Sequence, residues 1–264
     1  MRANLIFSAL LAVLSFSSVT YAEVSVRYSC CETRNNQFVG ELLSSALKAS
    51  SPDVNFVMLK CYPNLRKRRM LEHGSIDVLP LIQSKKYDEE HIPINVPLTK
   101  GNISKRVLVV SKSKVGLFEN VNSLEDFRAL NLVGAFGQKW FDNKVWEENG
   151  LKHVSVADWQ LIYCMLSRTN RNVDYFPRSV LEAKEEIRTY SDLVIVPNIL
   201  FSYDKNIIIY LSPKRRELKP ILEKALRNAQ SSGLIDKLVD KYYGQDLNSL
   251  EIDKRKVFHL KTPE

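Results

Sequence analysis

The chain has 264 residues, 45% of them hydrophobic and 26% charged, with a net charge of +8. That balance excludes a disordered chain and a small disulfide scaffold, and the length allows one large domain or two lobes. The basic excess suits an anionic ligand, an anionic surface or plain solubility.

In chain order, Met1 and Arg2 precede an apolar stretch from Leu5 to Leu14, and Thr20-Tyr21-Ala22 offers the small residues a signal peptidase reads. Residues 1–22 therefore read as a secretory signal peptide, because the apolar run is too short to span a bilayer. The mature chain is expected in the periplasm, where nucleic acid is not a partner. Strand Val24–Tyr28 is followed by a helix from about Asn36, with Val39, Leu42, Leu43 and Ala46 on one face. Strand Asn55–Lys60 leads to a helix from Asn64 to His73, stopped by Gly74, and then to strand Ile76–Leu81.

Strand Arg106–Ser111 opens a second block, in which Ser123 and Asp126 make a capping box for SLEDFRAL. Strand Asn131–Ala135, a helix from Phe141 to Gly150, strand His153–Val156 and helix Asp158–Ser167 follow. Next come strand Val173–Phe176, a helix from Ser179 to Thr189 and strand Leu193–Val196. Strand Asn206–Leu211 and the helices KPILEKALRNAQ and GLIDKLVDKYYG close the chain. Alternating strands and helices predict α/β architecture.

The two blocks join through the apolar strands KRVLVVS and KNIIIYLS, with no flexible linker. This predicts two lobes on a two-strand hinge, lobe 1 being 23–107 with 206–264 and lobe 2 being 108–205. Ligands of such sheets bind beyond the carboxyl ends of the strands, here in the interlobe cleft.

Cys30-Cys31 ends the first strand and Cys61 the second, so parallel pairing would let either Cys30 or Cys31 bridge to Cys61. Cys164, inside the apolar stretch WQLIYCML, reads as a core thiol. There is no CxxC, the four histidines are scattered, and no G-x-S-x-G, H-E-x-x-H or P-loop motif occurs. No metal, cofactor or catalytic residue is expected.

Several segments resemble, in order, the type 2 periplasmic solute-binding proteins of family 3, the polar amino-acid binders. PNLRKRRMLEHGSIDV resembles their P-x-x-R … M-L-x-x-G-x-I-D segment. IPINVPLTKGNISKRVLVV resembles the end of lobe 1, SLEDF with LVGAFGQKW the opening of lobe 2, and LIDKLVDKYYG the last helix. The resemblance implies a two-lobed binding protein that closes on a small solute and serves an ABC-type permease. The chain also departs from the pattern. No Arg lies between Asp77 and Pro97 to hold an α-carboxylate, and Arg178 stands roughly where the family has an ammonium-binding Asp. DYFPR with G-x-x-W resembles a less characterised proteobacterial branch of the fold.

Arg178, in the expected turn after Pro177, could clamp a carboxylate with help from a helix start at Ser179, or could pair with Asp174 or Glu182. Arg66 is either a second anion donor or part of a solvated basic face with Lys67, Arg68 and Arg69. Arg106 could point into the cleft or anchor a strand end. Gln138 and Trp140 occupy a turn able to present N–H groups and an indole, although Trp140 and Tyr175 also fit a core. Gln83 and Ser84 follow a strand end where polar ligand contacts occur, and Asp174 precedes the aromatic pair. The expected function is capture of a small anionic or zwitterionic, carboxylate-bearing ligand by a monomer for a membrane permease. The alternatives are a sensory protein acting with a membrane receptor, or a cleft enzyme.

Overall fold

The computed structural model describes residues 24–168 and 172–263. The expected signal peptide lies outside the described residues. The first block contains β1 (Ser25–Ser29), α1 (Arg34–Ser50), β2 (Asn55–Leu59), α2 (Asn64–Glu72), β3 (Val78–Ile82), α3 (Lys85–Glu90) and β4 (Ile92–Ile94). The second runs through β5 (Lys105–Ser111), α4 (Leu124–Ala129), β6 (Gly134–Gly137), α5 (Phe141–Glu148), β7 (His153–Val156) and α6 (Leu161–Ser167). It continues with β8 (Phe176–Ser179), α7 (Ala183–Glu186), β9 (Leu193–Ile195) and β10 (Ile199–Ser202). After it come β11 (Ile207–Leu211), α8 (Lys219–Ser231), α9 (Leu234–Leu250) and β12 (Lys256–His259).

One sheet has the order β2-β1-β3-β11-β4. Its β1 runs parallel to β2 and β3, and β11 lies antiparallel to β3 and β4. The 3.6-residue spacing of Phe38, Val39, Leu42, Leu43, Ala46 and Leu47 buries one face of α1. That face meets Val26 and Tyr28 of β1 and Leu222 and Leu226 of α8 in one core. The other sheet has the order β12-β10-β5-β8, with β9 also on β5, and β6 and β7 form a parallel pair beside it. An aromatic core of Phe127, Phe136, Trp146, Tyr175 and Phe201 fills this second lobe. The capping box of α4 is present: Asp126 N–H donates to Ser123 Oγ at 3.0 Å, and Ser123 N–H donates back to the Asp126 carboxylate at 3.0 Å.

The chain passes between the sheets from β4 to β5 and from β10 to β11. It passes again after α9, because β12 pairs with β10 and Phe258 packs in the second core. The C-terminal strand has no counterpart among the expected elements. Its alternation of exposed Val257 and buried Phe258 is only a few residues long.

Several local expectations are corrected. Arg178 lies inside a strand rather than in a turn, opposite Val107 in the antiparallel β5–β8 ladder. Pro177 is tolerated because β8 ends the strand order of its sheet, and proline is confined to such edge positions. No helix starts at Ser179, since Val180 and Leu181 are drawn into the core of the first lobe and α7 starts only at Ala183. Cys164 is exposed rather than a core thiol, because the inner face of α6 is taken by Ile162, Tyr163 and Leu166. Cys31 is disulfide-bonded to Cys61 with a Cα–Cα distance of 4.5 Å, and Cys30 is a free thiol. Successive residues of an extended strand point to opposite faces, so only one of two adjacent cysteines can face the neighbouring strand end.

Candidate functional site

The carboxyl end of β1 delivers the chain into the first turn of α1, and the carboxyl end of β8 delivers Ser179 to Glu182 against it. Their meeting is the seam between the lobes. Asn35 Nδ2 donates to Glu182 Oε1 at 3.0 Å, while Tyr243 donates to Asn35 Oδ1 at 2.7 Å and so holds the amide. Arg34 donates to the Leu181 carbonyl at 2.6 Å and pairs with Glu185 at 2.9 Å and Asp246 at 2.6 Å. Leu181 and Ala183 add apolar contact beneath these bonds.

Arg178 is 5% exposed. Its Nε and Nη2 donate to both oxygens of Glu186, at 2.6 and 2.5 Å, and Nη2 also reaches Glu182 at 2.9 Å. Tyr163 donates to Glu186 at 2.5 Å. Three rings enclose the guanidinium, with Trp140 and Trp159 at 5.0 Å and Phe176 at 5.1 Å from its carbon. Burial opposes the charge, but Glu182 and Glu186 outweigh it and raise the Arg178 pKa. The cluster carries one cation and two carboxylates, so its net sign is negative when all are ionised.

Of the expected site residues, the fold brings Arg178 and Trp140 together. Gly137 makes this possible, because a Cβ there would run into the Trp140 indole. Gln138 is exposed, and its N–H, expected to face an anion, instead donates to the Val156 carbonyl at 2.8 Å. Arg106, on β5 opposite Ser179, is buried with partners of its own, Asp142 at 2.7 Å and the Tyr203 hydroxyl at 2.8 Å. Asp174 pairs with Lys114 at 2.6 Å and accepts from Val133 N–H at 2.8 Å, so it is not the partner of Arg178. Tyr175 is buried and accepts from Trp146 Nε1 at 3.0 Å. Arg66 is exposed over the Tyr62 ring at 4.5 Å. Gln83 reaches Asn95 at 3.3 Å, and Ser84 caps α3 through Tyr87 N–H at 3.3 Å.

Glu186, Trp159, Tyr163 and Asn35 join the cluster without having been expected there. A signal for part of this existed, since Arg178, Glu182 and Glu186 recur every four residues, as do Trp159 and Tyr163. A cavity of about 740 Å³ lies elsewhere, along the strand crossovers, where Lys105, Lys205, Asn206, Asp236 and His259 contribute to its wall.

No protein-family profile matches the chain, and no curated protein matches it. Solved structures do. An ancestral arginine-binding protein bound to arginine is similar over 83% of this chain and 98% of its own, at 16% identity and a TM-score of 0.55. A putative L-cystine ABC transporter protein from Listeria monocytogenes matches over 84% and 96%, at 15% identity and a TM-score of 0.55. A putative binding component of an ABC transporter from Wolinella succinogenes, complexed with lysine, matches over 84% and 97%, at 13% identity and a TM-score of 0.60. The likeness at these identities is one of fold: the two-lobed α/β fold that the sequence resemblance implied.

Proposed function

We propose that this chain is an exported solute-binding protein that captures a small, carboxylate-bearing, amino-acid-like solute between its lobes and presents it to an ABC-type permease. Lobe 1 is 23–107 with 206–264, from which β12 reaches across to the second sheet; lobe 2 is 108–205. The carrying observation is the seam itself. The carboxyl ends of β1 and β8 meet there through polar contacts, Asn35 to Glu182 among them, laid over the apolar contact of Leu181 and Ala183, and the polar contacts are those a solute would replace. The solved structures of the same fold include substrate-binding proteins of amino acid ABC transporters, which supports the reading. Arg178 offers its Nε and Nη2 to a solute only when Glu186 and Glu182 release them, because both nitrogens are engaged.

The test is a thermal-shift panel of amino acids, dicarboxylates and short peptides on the mature monomer, followed by small-angle scattering with any stabilising solute. Saturable stabilisation and a smaller radius of gyration are expected. Stabilisation by no member of the panel would sink the solute-binding reading. Turnover of a bound compound would move the protein to the enzyme class.

A further inference from the structure

Lys67 belongs to a basic run in the sequence, yet it lies four residues before Leu71 on the inner side of α2 and is 3% exposed. Its ammonium donates one hydrogen bond, to Asn36 Oδ1 at 3.2 Å, and no carboxylate comes within ion-pair reach among the described residues. A buried ammonium in that condition lacks a counter-charge.

Its surroundings have the same sign. Asn36 belongs to the first turn of α1, a 17-residue helix whose N-cap, Thr33, makes no side-chain capping bond and whose first turn holds no acid. The N-terminus of α2 likewise has no side-chain cap and no acid in its first turn. The α2 end therefore presents uncompensated positive potential beside Lys67, while at the α1 end Glu182 is bonded to the neighbouring Asn35 and not to Lys67. The neighbouring Cys30 does not answer it, because burial pushes that thiol's pKa up and keeps it neutral. Burial also holds the Lys67 pKa below its ordinary value, with Cys30 opposing only in part.

The position is right for a ligand contact. Asn36 adjoins Asn35, the residue that holds Glu182 across the seam. Arg178 on the far side is already matched by two carboxylates. We propose that Lys67, with Asn36 and the first turn of α1, is the lobe 1 receptor for a carboxylate of the captured solute. This rests on the solute-binding reading and gives that site the cation that Arg178 cannot offer freely.

The experiment compares the full mature protein with Lys67→Met and Asn36→Asp. The probes are succinate, L-glutamate and the uncharged succinamide, together with any solute found by the panel. The wild type should be stabilised by a carboxylate probe or carboxylate-bearing solute and not by succinamide. Lys67→Met should weaken that binding roughly tenfold or more, the effect of losing a charge-assisted contact. Asn36→Asp should supply an internal counter-ion, raising the melting temperature of the free protein while reducing the response to carboxylate.

Equal carboxylate affinity in Lys67→Met overturns the proposal while leaving solute binding intact. So does a solute without a carboxylate that binds both proteins alike. A wild type that no probe or solute stabilises removes the solute-binding reading and this proposal with it. Lys67→Met that melts well below the wild type while binding carboxylate as well makes Lys67 a structural amine and overturns the proposal alone.

Discussion

Arg178 and Glu186 form a two-point ion pair, at 2.6 and 2.5 Å, inside a cage of Trp140, Trp159 and Phe176. Two parallel N–H···O bonds fix a guanidinium more firmly than one, and the aromatic faces limit its access to water. The pair lies on the second lobe, while its neighbour Glu182 is held by Asn35 of the first. A stabilising element is thereby attached to the seam between the lobes.

Truncating Glu186 should therefore be costly. Glu186→Ala leaves a buried guanidinium with Glu182 alone, and the expected loss in urea unfolding is about 3–5 kcal/mol. The triple variant Arg178→Met/Glu182→Gln/Glu186→Met should recover most of that, since no unpaired charge then remains in the cluster. A single-variant loss below about 1 kcal/mol would place the pair among weak surface contacts.

The Arg106 cluster, on the strand beside β8, gives a parallel expectation. Asp142→Ala removes the carboxylate that Arg106 meets at 2.7 Å and should also cost about 3–5 kcal/mol. Tyr203→Phe removes only a hydroxyl that donates to Asp142 at 2.8 Å, for about 1 kcal/mol. Equal losses in urea unfolding would contradict the expectation that the charge–charge contact contributes more than the hydroxyl.

The Cys31–Cys61 bridge closes a loop with a sequence separation of 30. Its removal in Cys31→Ser should lower stability by about 3–4 kcal/mol, through the chain entropy restored to the unfolded state. Cys30→Ser should keep the bridge, as peptide mapping without reductant would show. Cys164 should alkylate in the native protein, being exposed. A bridge that disappears in Cys30→Ser would contradict the pairing.

Stability should fall as the solution is acidified below neutrality. His91 is buried and its Nδ1 has no hydrogen-bond partner among the described residues. Burial lowers its pKa below the usual 6.5, opposed in part by Glu90 and Glu72. The unfolded chain therefore binds the His91 proton at a higher pH than the folded one. Stability is lost as pH falls through the unfolded value of about 6.5 toward the lower folded value. Melting temperatures from pH 7.5 to 5 should show this decline, and His91→Phe should flatten it. An identical slope in the variant would show that another group causes the decline.

Much of this molecule is legible in the chain before it folds. The apolar period of α1, the Ser123–Asp126 capping box and the strand–helix alternation are local, because backbone hydrogen bonding and one-sided burial leave their mark within a few residues. Those determine α/β elements and their order, and the order carries the two-lobed architecture. The tertiary structure decided what local pattern cannot: that Val180 and Leu181 enter the opposite core and leave Arg178 in a strand, that Cys31 rather than Cys30 faces Cys61, and that β12 crosses to the second sheet. It also decided that Arg178 already has its carboxylates, while Lys67 has none among the described residues. Charge type is written in the residue, but whether a charge is answered depends on which distant chain segments fold against it, and burial makes that pairing matter.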